Sequence, residues 1–227
     1  PRLFRLLDRA RRRPLVWITA PAGAGKTTVV ASYLKARRLP VLWYRLDESD
    51  ADPASFFHHL SSAARNVAPK CRRPLPALTP EYSMGLSTFA RRYIQALGAR
   101  LPRRCILVLD NYQELPSQSA LQTMLADGLD ELPAGTSAIV ISRQNISAPW
   151  ARVQAEQRMA WIGPDQLQLS KAECSGIVRL HLRPLKRRVA QVLINEIHER
   201  VEGWAAGLML LLAQIKQQNA MVPASVG

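Results

Sequence analysis

The chain has 227 residues, enough for one sizeable α/β core and a small second module. Its hydrophobic content of 48% is ordinary for a globular protein, while a net charge of +14 admits nucleic acid or an acidic partner as well as plainly solvated helix faces. The longest apolar run, Trp204 to Ala213, is too short to cross a bilayer, and three cysteines without metal-like spacing favour a reduced, cytoplasmic compartment over a disulfide framework.

Residues 1–13 are basic and never become continuously apolar, so they do not read as a secretory signal. Starting at Pro1 and ending in small residues, the chain reads as an excised piece of a longer protein. Residues 15–20, apolar between Pro14 and Pro21, predict a buried strand. Gly23 and Gly25 break it, and residues 26–38 predict a helix ended by Pro40. Residues 41–46 predict a second strand. Asp52 and Pro53 then mark a helix start, as N-cap and first helical residue, for a helix running to about Val67. Residues 68–80 hold four prolines and three basic residues and predict an exposed, poorly ordered connection.

Residues 86–97 predict an amphipathic helix. Residues 105–110 form the most apolar strand, without alternation, as expected for a strand buried on both faces of a parallel sheet. A helix over 117–125 and strands over 137–142 and 159–162 follow. Alternating strands and helices indicate a doubly wound parallel α/β sheet. After Gly163 the pattern changes. Ser170 and Glu173 form an S-x-x-E capping box, and helices are expected to about His181, from about Lys186 to Val201, and from Trp204 to Gln217. The predicted organisation is an α/β domain over 1–163 and a helical module over 164–227.

Ala20-Pro21-Ala22-Gly23-Ala24-Gly25-Lys26-Thr27 fits the phosphate-loop pattern, with Ala in the often-glycine first position. A strand before it and a helix after it make the match specific. Small residues let backbone N–H groups turn toward a phosphate, and the helix N-terminus adds a positive dipole end. Lys26 would bridge the β- and γ-phosphates, and the Thr27 hydroxyl would ligate Mg²⁺. Pro21 to Thr28 are therefore the candidate binding residues for ATP or ADP. Such a loop needs an acidic partner at the end of a neighbouring strand. Asp110, closing the 105–110 strand, fits that role as a metal-holding carboxylate, against the simpler reading of an Asp that starts a turn. The next residue is Asn111, where many such ATPases carry a carboxylate. An amide can position water but cannot accept its proton, which predicts slow hydrolysis, with Glu114 and Asp47 as alternative bases. Arg143 follows the 137–142 strand at the ligand-binding edge of the sheet. It reads either as a γ-phosphate contact or as a solvated loop arginine.

These residues resemble the STAND-class P-loop ATPases, specifically the MalT-like branch of large LuxR-type transcriptional regulators. The resemblance runs nearly end to end. It rests on Thr19 to Thr28, on Trp43-Tyr44-Arg45-Leu46-Asp47-Glu48-Ser49-Asp50 with Asp52, Pro53 and Phe56, and on Leu107-Val108-Leu109-Asp110-Asn111-Tyr112. It also includes Ile141-Ser142-Arg143, Leu169 to Glu173, and Glu202-Gly203-Trp204-Ala205-Ala206-Gly207-Leu208. Asn111 departs from the family's second Asp, and Ala205 stands where many relatives have Pro, which weakens that last segment as a base contact. Trp204 reads either as part of a lid over the nucleotide or as helical core. The resemblance implies an ADP-bound resting form, exchange for ATP when an inducer is sensed elsewhere in the chain, self-association in the ATP state, and reset by hydrolysis. It also implies DNA binding through a C-terminal domain. Two rival readings remain: a DNA-associated AAA+-type ATPase, which the positive charge would suit, and a nucleotide-locked scaffold that never turns over, which Asn111 would suit.

Overall fold

The computed structural model describes residues 1–71, 73–82, 85–182 and 191–221. Arg72, the start of the helix expected from Lys186, and the segment from Val222 lie outside the described residues. The chain divides into two compact units. The first comprises Pro1–Ala20 and Lys26–Gly163, and the second comprises Pro21–Gly25 with the chain from Pro164 onward. Pro21–Gly25, which sequence reasoning counts with the first unit, thus groups with the second.

The first unit opens with α1 (Arg2–Ala10), β1 (Leu15–Thr19), α2 (Lys26–Ala36) and β2 (Val41–Arg45). It continues with α3 (Pro53–Val67), α4 (Leu86–Arg100), β3 (Ile106–Asp110), α5 (Ala120–Leu129), β4 (Ser137–Ser142), α6 (Ala151–Ala155) and β5 (Met159–Ile162). The strands form a five-stranded sheet in the order β2-β3-β4-β1-β5, with every pairing parallel. Register runs from Thr19 opposite Ser142 to Leu109 opposite Val140. Every residue of β1, β3 and β4 is buried, which explains why their apolar residues run without alternation. Strand alternation sends Leu15, Trp17, Leu107, Leu109 and Val140 into a core shared with α3, α4 and α5. Val16, Ile18, Val108 and Ile139 are buried on the other face.

Local signals set most of the boundaries. Asp52 accepts from Ser55 N at 2.9 Å, capping α3 with Pro53 in its first turn. Helix α5 begins and ends later than the sequence suggests, because Ser119 is its cap. Helix α2 stops at Ala36, and Arg38 takes φ +50° before Pro40. Among its described residues, the proline-rich connection after α3 has no regular element before a 3-10 turn at Pro80–Tyr82. It is nevertheless tied down. Leu75 and Leu78 pack against the core, and Arg100 donates to the carbonyls of Arg73 and Ala68 at 2.6 and 3.4 Å.

The second unit contains α7 (Pro164–Leu167), α8 (Lys171–Leu182), α9 (Gln191–Val201) and α10 (Ala205–Met221). Its core is Cys174, Val178, Leu182, Ile194, Ile197, Val201, Leu208 and Leu212. The capping box before α8 is present: Ser170 N donates to Glu173 Oε2 at 3.0 Å and Glu173 N to Ser170 Oγ at 3.3 Å.

An aromatic cluster joins α3 to α4. Phe57 meets Phe89 and Tyr93 edge-on, with ring centroids 4.9 and 4.6 Å apart. Phe57→Ala therefore leaves a cavity between two helices and lowers stability by about 3–5 kcal/mol, read as a reduced urea midpoint.

Candidate functional site

Because the strands are parallel, β1, β3 and β4 all end at one edge of the sheet. Sequence reasoning expects the Asp110 strand to neighbour the strand before Lys26. Instead β4 lies between them. The segment after Ser142 therefore emerges between the ends of β1 and β3, which is why Arg143 belongs to this edge. Thr19 Oγ1 donates to the Gln144 carbonyl at 2.9 Å and Ala20 N to the Ser142 carbonyl at 3.4 Å, fastening the β4 exit to the β1 exit.

Lys26 opens α2 and is only 9% exposed. Its Nζ donates to the Ala20 carbonyl at 2.6 Å. Burial pushes its pKa below the ordinary lysine value, the Arg143 charge pushes it further, and Asp110 pulls it back. Thr27 Oγ1 lies 3.2 and 3.3 Å from the two carboxylate oxygens of Asp110. Asp110 is buried at the end of β3, and its Oδ1 also accepts from Asn111 N at 3.0 Å. Lys26, Thr27, Asp110 and Arg143 thus share one edge. A hydroxyl beside a carboxylate is a hard-oxygen pair suited to Mg²⁺, and a buried ammonium suits phosphate oxygens. Thr28 is exposed on the first turn of α2.

Asn111 adopts φ +61°, ψ +38°, the left-handed conformation that Asn tolerates better than most residues. Both alternative bases are engaged elsewhere. Glu114 Oε1 accepts from Gln113 Nε2 at 3.0 Å. Asp47 Oδ1 accepts from Ser49 N at 2.8 Å, while Asp47 N donates to Asp50 Oδ2 at 3.0 Å, closing a capping box around the turn that leads into α3. Asp50 is buried and accepts from the Tyr44 hydroxyl at 2.6 Å, and burial with this carboxylate pushes the Tyr44 pKa up. The distinctive 43–50 block is therefore a structural device in this unit.

Gln113 was not singled out by sequence reasoning. Its Oε1 accepts from Arg143 N at 3.0 Å, linking the segment after β3 to the segment after β4. No local pattern marks it, because the bond joins residues thirty apart. Next to it Tyr112 is buried, its hydroxyl accepts from Trp150 Nε1 at 2.9 Å, and its ring stands edge-on to Trp17.

In the second unit, Pro21–Gly25 lies against the start of α10. Ala206 N donates to the Gly23 carbonyl at 2.9 Å and Trp204 Nε1 to the Ala22 carbonyl at 3.3 Å. Gly23 sits at φ +76°, and a Cβ there would fall 2.7 Å from Ala206 Cβ and 2.8 Å from Trp204 Nε1. Ala24 N donates back to the Pro21 carbonyl at 3.4 Å. Gly25 is also left-handed, at φ +81°, and a Cβ there would fall 3.4 Å from Ala205 Cβ. Trp204 is 47% exposed, whereas Leu208 and Leu212 are core, so the helix supplies both the unit's packing and an open aromatic face. A cavity of about 550 Å³ is lined by Pro21, Ala24, Leu167, Arg200, Trp204 and Leu211, among others.

The family model described as an AAA domain matches residues 9–146. The chain belongs to the AAA domain family. It is similar to the HTH-type transcriptional regulator MalT of Vibrio cholerae, 27% identical over 223 residues that cover 96% of this chain and 24% of that protein. MalT of Vibrio campbellii is 28% identical over 229 residues, with 100% and 24% covered. The chain thus spans about a quarter of the length of these regulators. Among solved structures, a Walker-type ATPase of Pyrococcus abyssi gives a TM-score of 0.61 at 16% identity over 96% of this chain and 67% of that one. The RuvB Holliday-junction branch migration motor of Thermotoga maritima gives 0.52 at 11% over 95% and 61%. These structures share the α/β P-loop fold, so this AAA domain has the fold of the nucleotide-binding P-loop domains.

Two predictions follow from this geometry. Gly23→Ala forces a methyl group into Ala206 and Trp204, so the Ala206 amide loses its protection in hydrogen exchange. The folded state holds the Lys26 proton more weakly than the unfolded state does. The cost of its buried charge is therefore carried below the folded pKa and relieved as pH rises toward the unfolded value. In denaturant unfolding of the nucleotide-free protein, Lys26→Met should be at least as stable as the parent at neutral pH, and the difference should shrink at alkaline pH.

Proposed function

We propose that this AAA domain is the nucleotide switch of a cytoplasmic, MalT-like transcriptional regulator, binding ATP or ADP with Mg²⁺ and hydrolysing ATP slowly. The observation that carries the reading is the buried Lys26 ammonium beside the Thr27–Asp110 pair, which costs the nucleotide-free protein stability and suits a polyphosphate. Lys26 would contact the β- and γ-phosphates, and backbone N–H groups of residues 22–27 would cradle them. Thr27 and Asp110 would hold Mg²⁺, which supplies charge neutralisation on the phosphates. Arg143, kept at this edge by Gln113, would report the γ-phosphate.

Hydrolysis requires water to attack the γ-phosphorus while the bond to the β–γ bridging oxygen breaks. Asn111 can orient that water but cannot take its proton, and the carboxylates of Asp47 and Glu114 are held in other bonds. Turnover is therefore slow, and ATP persists long enough to set a state. The ATP form self-associates and the ADP form does not. DNA binding and inducer sensing belong to other parts of the longer regulator. To move such a switch from 1:99 to 99:1, the nucleotide must favour one state by about 5.5 kcal/mol. Phosphate contacts from Lys26 and Arg143, each worth about 1.5–3 kcal/mol, are of the right size.

Asn111→Asp restores a carboxylate and should raise single-turnover hydrolysis by about 10- to 100-fold with unchanged ATP affinity. Arg143→Ala should erase most of the preference for ATP over ADP in driving self-association, measured by sedimentation velocity. An Asn111→Asp variant as slow as the parent, with intact ATP retained over days by both, favours a non-hydrolysing scaffold instead.

A further inference from the structure

At the other edge of the sheet, α3 ends at Val67 and α4 ends at Arg100, shortly before β3 begins at Ile106. Pro69, Cys71, Arg73, Pro74 and Leu75, from the segment between these helices, help line a cavity of about 570 Å³ at their ends. Arg65, Arg73 and Arg100 line it together with Cys71, Leu75 and Pro74, and no carboxylate lies among the described lining residues. The described ion pairs include none of the three arginines.

The guanidinium of Arg100 is fixed in place. Its two Nη groups donate to the carbonyls of Arg73 and Ala68, and its Nε–H is buried without an acceptor. Arg65 Nε is turned back onto the Ser61 carbonyl at 3.4 Å, and Arg73 is exposed at the rim. Three like charges around one concavity repel one another, and one of them is already oriented by backbone acceptors. A tetrahedral oxyanion relieves the repulsion and offers oxygens to several forked donors at once. The cavity is much larger than a phosphate ion needs, and Pro69, Pro74 and Leu75 give it an apolar wall.

We propose that this pocket, on the sheet edge away from Lys26, binds a small phosphate monoester: its phosphoryl group on Arg65, Arg73 and Arg100, its carbon body against Leu75 and the two prolines.

Cys71 provides a local readout. It lines the pocket and is half-buried, whereas Cys105 and Cys174 are buried and their thiol pKa values are pushed up by that burial. The rate of Cys71 alkylation by iodoacetamide is followed during titration with inorganic phosphate and with phenyl phosphate. Both should slow alkylation saturably, with phenyl phosphate effective at roughly tenfold lower concentration because its ring buries apolar surface. Lys26→Ala should leave this protection unchanged, which separates the pocket from the phosphate loop. Arg65→Ala combined with Arg73→Ala removes two exposed side chains, so the fold is retained by circular dichroism, and protection should weaken about tenfold or more. No saturable protection in the parent, or protection that survives the double substitution, overturns the site. Equal protection by the two anions overturns the ester in favour of a bare ion. Protection by a short DNA duplex, with none by either monoester, overturns the pocket in favour of a nucleic-acid surface.

Discussion

A buried ammonium group is the constraint around which the first unit is arranged. Lys26 opens a helix directly after a loop with left-handed glycines, and its Nζ is turned onto the carbonyl at the end of its own strand. Desolvation opposes its charge, and Arg143 adds to that opposition. Asp110 offsets part of it from the end of β3. A nucleotide-free protein pays for this arrangement in stability, and a phosphate group would repay it. An anion bound there would meet donors already held in place.

The order of the strands makes the arrangement possible. With β4 inserted between β1 and β3, the exit of β4 falls between the ends of β1 and of Asp110's strand β3. Gln113 then fixes the backbone at Arg143, and Thr19 holds the carbonyl of Gln144. A change at the end of β3 is thereby linked by hydrogen bonds to the backbone of Arg143. In the second unit, the turn through Glu202 and Gly203 aims the Ala206 amide at the carbonyl of Gly23 and the indole of Trp204 at the carbonyl of Ala22. The carbonyls of Pro21, Ala22 and Gly23 are thus all engaged within this unit.

Much of this was legible in the sequence because the signals are local. The phosphate loop announces itself through glycine spacing, Lys-Thr and its strand–helix context. Asp52 and Ser170 cap helices where their neighbours say they should. The unalternating apolar runs over 106–109 and 138–141 point to a parallel sheet without any alignment. What escaped reading depends on pairings distant in sequence. Placing β4 beside β1 rather than leaving β3 there is a choice among non-local registers. The bond from Trp204 to Ala22 spans 182 residues. Gln113 looks like any loop glutamine until Arg143 is set beside it. Asp47 looked like a spare base, yet it closes a capping box with Asp50. The three arginines around Cys71 come from two helix ends and a proline-rich segment, and nothing in their spacing foretells that they meet.

The central claim is that Lys26 and its surroundings hold a nucleotide tightly enough to define a state. Freshly purified protein is denatured and the released nucleotide identified and counted by chromatography, alongside Lys26→Ala. The account predicts stoichiometric ADP from the parent and none from the variant. A parent that emerges empty and binds ATP only weakly would contradict it, and would describe an ATPase that exchanges freely rather than a switch.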